Sequence, residues 1–388
     1  MRLPGIIRIL CFLKMSIGIV VDSSKHIFSS GMIQNAYFIK VCLESLGYVC
    51  EFLSFEKSPN NFHYKNISVT SINLELGSNF EHNKYKLIIT LAAGFNKKEY
   101  DILKSFNVAV VSFLCGNHFM HDIENFVRGV DNGRSNFIGS EVYSDELWTI
   151  PCYKYAIGYL ETIRKRPGFV VPHLWSPEIL EESVKLTGKD ASLLMYDRKV
   201  RNKTVNLLIV EPNIALFKNA WLPICSGEFL YKKTPEMINE VYAFNWPSNT
   251  YAGKMADSLS LGKKLRRFQR LPIYEILLHF NLSESMPIFV SHQVNNSLNY
   301  IYYECLYYGW PLVHNSKDLE KEGLGYYYEE NNIDKCADAI VYAQKHHLKN
   351  FTSYVEKGRS YLNKIFPINS EASKTWGDYV KSVIINSK

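Results

Sequence analysis

From Ser16 the chain alternates between continuous apolar runs and segments of helical spacing. SIGIVVD opens the pattern, SSKHIFSSGMIQNAYFIKVCLESLGY follows as loop and helix, and VCEFLSF is a second apolar run. Uninterrupted apolar strands separated by amphipathic helices belong to parallel sheets covered on both faces. KLIITLAA (86–93), NVAVVSFLCG (107–116) and DELWTIP (145–151) continue the alternation, so the first half reads as a doubly wound α/β domain. FVVPHLWSP (169–177) and a polar stretch to about Lys203 interrupt it. The pattern then restarts: TVNLLIVEP (204–212) is a strand, WLPICSGEFLYKK a helix, EVYAFNW a strand, LPIYEILLHF a helix and MPIFVSHQ a strand. A sheet that begins again predicts a second domain of the same type, and 388 residues are too many for one ordinary core. The boundaries read as a tail or overlong start over 1–14, a first domain over 15–172, a linker over 173–203, a second domain over 204–365 and a closing helix within 366–388.

Residues 296–316, NSLNYIYYECLYYGWPLVHNS, continue the second sheet as loop, helix and strand. Leu298, Ile301, Tyr302, Cys305 and Leu306 fall on one helical stripe, which predicts a core-facing side. Glu304 points away from that stripe, beside Ser297, Tyr300, Tyr307 and Tyr308. Asn296 or Ser297 is placed to cap the first turn and Gly309 to end the last. The start of such a helix attracts anions.

Composition narrows the class. Forty-seven per cent hydrophobic and 21% charged residues are ordinary for a soluble globular protein, and a formal charge of +6 suits one that handles anions without calling for nucleic acid. The eight cysteines include no CxxC pair, and several lie inside apolar runs, so they read as reduced core thiols of a cytoplasmic protein. No run approaches the ~20 apolar residues of a membrane-spanning helix. Basic charge and 14% aromatic residues would still suit a lipid-linked acceptor at a membrane surface.

Polar clusters follow the apolar strands: Ser29-Ser30-Gly31, Cys115-Gly116-Asn117-His118, Glu211-Pro212-Asn213 with Lys218, and Ser291 to Asn299. Ligands of open α/β sheets lie beyond the carboxyl ends of strands, and two such domains facing one another make a cleft. No Gly-x-Gly-x-x-Gly fingerprint, Walker loop or HExxH helix is present, which argues against dehydrogenase, NTPase and zinc-peptidase chemistry.

The order of VPHLWSPEIL (171–180), EPNIALFKNAWLPICSGEFL, YIYYECLYYGWPLVHNS and GLGYYYEENNIDKCADAI resembles a GT-B glycosyltransferase of the retaining family 4 type. SHQVNNSLNYIYYECLYYGWPLVHNS, CGNHFMHDIE and VPHLWSP more specifically resemble a bacterial family designated domain of unknown function 2827, over nearly all of 15–345. The resemblance implies two Rossmann-like domains and transfer of a hexosyl or pentosyl unit from a nucleotide-sugar donor to a glycan or lipid-linked acceptor. It implies no cofactor and no bound metal, and no DxD stands where one would be held.

On that resemblance Glu304 takes the place of the glutamate that accepts the donor's ribose hydroxyls. It lies ~8 Å along the helix from amides near Ser297, Leu298 and Asn299 that would hold a diphosphate. Lys218 takes the slot of the phosphate-binding lysine, where a cation steadies the departing diphosphate. Gly31 corresponds to the glycine that lets the first loop approach the phosphates. His118 falls where the family places a histidine near the reacting sugar, with Asn117, His121 and the linker's His173 as further sugar-side or acceptor candidates. Two departures stand out: Asn213 replaces an arginine, and Asn296 replaces the first glutamate of the Glu-x7-Glu pair. Taken alone, Glu304 could equally be a solvated residue paired with a lysine, Lys218 a surface lysine, and the histidines packing residues. KKLRRFQR (263–270) is either a compensating charge source or a solvated basic face. The departures also keep open a GT-B scaffold that binds nucleotide or glycan without transferring anything.

Overall fold

The computed structural model describes residues 16–62, 64–65, 67–72, 84–91, 94–129, 143–199, 201–247 and 249–387. The reading of residues 1–14 as a tail lies outside them. Seven strands form the first sheet: β1 (Ser16–Val20), β2 (Val49–Ser54), β3 (Val69–Ser71), β4 (Tyr85–Thr90), β5 (Ala109–Leu114), β6 (Glu146–Thr149) and β7 (Gly168–Val170). Their order is β3-β2-β1-β4-β5-β6-β7, with every pairing parallel. Six more, β8 (Val205–Ile209), β9 (Ile238–Ala243), β10 (Leu265–Arg267), β11 (Met286–Val290), β12 (Leu312–His314) and β13 (Tyr326–Tyr327), form a second parallel sheet. Its order is β10-β9-β8-β11-β12-β13.

The helices are α1 (Gly31–Ser45), α2 (Lys97–Ser105), α3 (His118–Arg128), α4 (Ile157–Arg164), α5 (Glu178–Lys185), α6 (Trp221–Lys233), α7 (Thr250–Asp257), α8 (Ile273–Asn281), α9 (Tyr300–Tyr308), α10 (Lys317–Lys321), α11 (Ile333–Asn363) and α12 (Glu371–Asn386). Covered by helices on both faces, β5, β8 and β11 are buried at every position, which is why their sequences lack polar alternation. Among the described residues no helix is long and apolar enough to cross a membrane.

Strand order dictates where a ligand fits. In the first sheet the chain leaves β1 toward β2 on one side and β4 on the other, and in the second β8 is flanked by β9 and β11. Loops leaving such a switch point diverge and open a crevice at the carboxyl ends. At these carboxyl ends the β8–α6 and β11–α9 loops pair through Lys218 and Gln293, and Tyr300 at the start of α9 meets Gly31 at the start of α1.

The chain crosses back at its end. Trp376 of α12, fully buried, packs against Phe113 and Trp148 with ring centroids 5.5 Å away, and its Nε1 donates to the Pro172 carbonyl at 2.8 Å. The closing helix thus packs against the first domain. Two local differences from the sequence reading have plain causes. Strand β3 has three residues, too few for a periodic signal. Helix α9 begins at Tyr300 rather than at 297, because the Asn296 side chain bonds within its own loop instead of capping a first turn.

Candidate active site

Strand β8 delivers Glu211 to the crevice with no exposed surface. Burial alone would keep a carboxyl protonated, and it pushes Glu211 up to about 7 against the opposing pull of Ser291, Lys218, Gln293 and the His292 backbone. The Ser291 hydroxyl donates to one oxygen and Gln293 Nε2 to the other at 2.9 Å. Two residues on, Asn213 adopts a left-handed φ of 52°, a conformation asparagine tolerates. Its Nδ2 donates to the carbonyls of Glu211 and Asn245, and its Oδ1 accepts from Ala220 N–H at 2.8 Å. The amide expected to meet the donor is therefore spent on the backbone, bracing the turn into α6.

Lys218 follows on that turn. Its main chain pairs with Gln293, and Val294 N–H donates to the Phe217 carbonyl at 3.1 Å, so the lysine loop is zipped to the β11–α9 loop. The ammonium opposes the burial-driven rise of Cys115, Cys152 and Glu211, which places it within electrostatic reach of all three.

Asn296, expected at the donor sugar, is 4% exposed and also committed. Its Nδ2 donates to Gln293 Oε1 and to the Leu298 carbonyl, and its Oδ1 accepts from Tyr153 O–H of the first domain at 2.8 Å. Ser297, Leu298 and Asn299 complete the approach to α9, whose first turn has no side-chain cap. Amides at a helix start without a cap are open to an anion. One turn in, the predicted stripe of Ile301, Tyr302, Cys305 and Leu306 is buried. Glu304 lies off it, partly exposed but largely desolvated, and burial pushes its carboxyl up to about 8. The Tyr300 and Tyr308 hydroxyls feel its charge, yet Glu304 makes no hydrogen bond or ion pair among the described residues. The lysine partnership that would make it a solvated surface residue is not formed.

On the opposite wall Gly31 allows the close approach expected of it, but the group that approaches is Tyr300. A Cβ at Gly31 would lie 2.7 Å from the Tyr300 ring, whose hydroxyl donates to the Gly31 carbonyl at 3.3 Å. Asn117 caps α3 through Oδ1 and donates through Nδ2 to the Asn295 carbonyl of the second domain at 2.7 Å. Tyr155 O–H reaches the same carbonyl at 3.0 Å, and Leu216 N–H of the lysine loop donates to the buried Glu124 at 3.3 Å. Polar contacts thus join the two domains at Asn295 and at Leu216.

The two histidines of α3 divide. His121 packs edge-on against Phe217, the neighbour of Lys218, with centroids 4.9 Å apart. His118 lies within reach of the Arg164 charge instead, and burial lowers it to about 4. His121 is therefore the histidine that meets the second domain. His173 sits under α9, 5% exposed, beside the Tyr300 and Tyr303 rings, and burial lowers it to about 3. It lines a cavity of about 240 Å³ with Cys152, Ser297, Leu298 and Tyr361.

The basic cluster resolves into local pairs. Arg266 binds Glu240 and Arg267 binds Asp257, while Arg270 reaches across to the Ser29 carbonyl. Sequence reasoning placed Glu211 and Gln293 in polar clusters and Tyr300 beside Glu304 without giving any of them a role, and did not single out Tyr153. Of these only Glu211 carried a signal of its own, as an acid close after an apolar strand.

Several solved structures share this architecture. A sucrose-phosphate synthase from Thermosynechococcus elongatus aligns with a TM-score of 0.60 at 9% identity, over 96% of this chain and 100% of that one. A trehalose-6-phosphate protein from E. coli, bound with UDP-2-fluoro glucose, aligns at 0.59 and 11% identity, over 95% and 99%. The HepE protein of Anabaena, in complex with UDP-glucose, aligns at 0.56 and 11% identity, over 95% and 100%. The fold is that of the GT-B glycosyltransferases. No curated protein matches the chain. The profile of the family described as Protein of unknown function (DUF2827) matches residues 15–380, and the chain belongs to that family.

Proposed function

We propose that the protein is a glycosyltransferase that moves a sugar from a nucleotide-sugar donor to a glycan or lipid-linked acceptor with retention of configuration. The observation that carries this reading is Glu304. A desolvated carboxylate without a protein partner, one helical turn from uncapped amides, fits the two ends of one nucleotide diphosphate: ribose hydroxyls on the acid, phosphates on the helix start. The UDP-sugars bound to two structural neighbours have this chemistry.

In the proposed reaction the bond between the anomeric carbon and the diphosphate breaks, the electron pair leaves with the diphosphate, an acceptor hydroxyl oxygen bonds the carbon, and the hydroxyl proton passes to the departing diphosphate oxygen. Lys218 and the amides preceding α9 oppose the charge that builds on the leaving group. His121 and Asn117 stand on the sugar and acceptor side. The cross-cleft contacts exclude water, which favours transfer over hydrolysis.

A second reading, binding without transfer, draws on Asn213 and Asn296, whose side chains are used inside the loops and add no cation or acid to the cleft. Thermal shifts with UDP-, GDP- and ADP-sugars, repeated on Glu304→Ala, test the main reading. It requires a shift by one nucleotide class that disappears in the variant, together with slow hydrolysis or transfer of that donor. Binding with no turnover would select the second reading, and no shift with any donor would sink both.

A further inference from the structure

Four buried side chains run in one line from the second sheet into the first domain. Tyr153 O–H donates to Asn296 Oδ1 at 2.8 Å, Asn296 Nδ2 to Gln293 Oε1, and Gln293 Nε2 to Glu211 Oε2 at 2.9 Å. Every hydrogen points the same way, and the line ends on a carboxylate. Hydrogen bonds arranged head to tail strengthen one another, and an ionised terminal acceptor strengthens the last most. The three residues beyond Glu211 are no more than 4% exposed, so water does not substitute freely for any link.

Gln293 is the node. Its main chain pairs with Lys218 on one side, while on the other its N–H donates to Asn315 Oδ1 at 2.9 Å and its carbonyl accepts from Asn315 Nδ2 at 2.8 Å. Its side chain holds both Glu211 and Asn296. Ser291 adds a second hold on Glu211, and its carbonyl accepts from Tyr328 at 3.0 Å.

We infer that Glu211 and Gln293 are positioning residues: they fix the Lys218 loop against the approach to α9 and tie that geometry, through Asn296 and Tyr153, to closure of the first domain. Neither side chain needs to touch the donor. The consequence rests on the proposed donor site: the groups that hold the diphosphate and the contacts that shut out water are set by one chain of bonds rather than independently.

Exchanging the two end groups tests this. In Glu211→Gln alone, only one acceptor oxygen is left for the two donors, so either Ser291 or Gln293 faces an amide N–H instead. In Gln293→Glu alone, two carboxylates face one another. In the double exchange Gln at 211 accepts from Ser291 and donates to Glu at 293, whose other oxygen accepts from Asn296, so every bond can re-form. Each single variant is expected to lower the urea midpoint, and the double variant to recover more than half of the summed loss. Tyr153→Phe, which removes only the bond to the first domain, is expected to raise amide hydrogen exchange at 293–298 at least threefold and leave β8 unchanged. A double variant no better than the sum of the singles, or unchanged exchange at 293–298, would overturn the inference. Both readouts need no donor. UDP, GDP and ADP binding supplies the functional arm: a tenfold loss in Glu211→Gln, restored by the double exchange, supports positioning. Undiminished binding in the single variant refutes it. Absence of binding by the unaltered protein overturns the donor site alone, because the stability cycle and the exchange data still report on the coupling.

Discussion

Glu211, just after β8, and Glu304, within α9, are acids of the same domain, both pushed upward by burial, yet their surroundings treat them oppositely. Glu211 is enclosed and accepts from Ser291 and Gln293, with the Lys218 charge nearby. Glu304 is enclosed on most sides and accepts from nothing among the described residues. Desolvation costs are similar in kind, so the difference lies in what offsets them. An acid whose offset is built in holds the structure, and one whose offset is missing is open to an external donor of hydrogen bonds.

The largest expected effect follows at Glu211. Replacing it with alanine leaves the Ser291 hydroxyl and the Gln293 amide buried without their acceptor, which should lower unfolding free energy by about 3 kcal/mol. Urea denaturation measures it, and a loss below about 1 kcal/mol would break the contrast. Glu304→Ala should act the other way. With no bond to lose, the empty protein should hold or raise its melting temperature at pH 8 and above, where the native acid is forced to ionise in poor solvent. Nucleotide affinity should meanwhile fall about 10- to 100-fold, the worth of one or two charge-assisted hydrogen bonds at about 1.5–3 kcal/mol. Calorimetric titration checks the affinity. A destabilised Glu304→Ala with unaltered binding would make Glu304 a structural residue.

The two acids also show what a sequence displays. The fold was readable because fully buried strands such as VNLLI and MPIFV are apolar at every position but Asn206 and carry no charge, and their alternation with helices leaves few topologies. Glu304 could be singled out because a charge off the apolar stripe of a short helix is visible from spacing, while the role expected of it came from the family resemblance alone. The partners were not. Tyr153 and Asn296 are separated by 143 residues and Gln293 and Glu211 by 82, and nothing local marks either pair. Asn213 could be located but not interpreted, since its backbone strain and its grip on Asn245 exist only after β8 and β9 pair. His118 and His121 looked equivalent because only the rotation of α3 decides which meets Phe217. His121→Ala should accordingly lower turnover about tenfold or more, and His118→Ala should do less, in the same donor assay.

Titration sharpens the contrast further. The acid values of about 7 for Glu211 and about 8 for Glu304 lie above the 4.5 of an exposed glutamate, so the folded protein keeps protons the unfolded chain has released. Stability from these groups is therefore fully present below about pH 4.5, falls as pH rises through the folded values, and levels off above about 8. Melting curves from pH 5 to 8.5 should show the decline, and Glu304→Gln should flatten its upper part, between 7 and 8. Nucleotide binding should run the opposite way, since ribose hydroxyls favour the ionised acid: affinity should rise with pH up to about 8, with a proton released per donor bound. Titrations in buffers of different ionisation enthalpy would reveal a missing proton, which would place the ribose elsewhere.

The smallest effect belongs to a third carboxylate that serves as the control. Glu240 on β9 binds the Arg266 guanidinium, and that hydrogen bond holds its acid below the ordinary glutamate value, with Tyr242 assisting against modest burial. The sign of its pH dependence is thus reversed: its contribution is present above pH 4.5 and is lost only as the pH falls through the lower folded value. Side chains this accessible gain little from pairing, because water screens the attraction and both partners lose conformational freedom. Glu240→Gln should leave the melting temperature at pH 7 within experimental error, leave nucleotide binding intact and soften only the acid limb of the stability profile. A neutral-pH loss as large as that of Glu211→Ala would show that being paired, rather than being both paired and buried, makes a carboxylate structural in this protein, and the distinction between Glu211 and Glu304 would lose its physical basis.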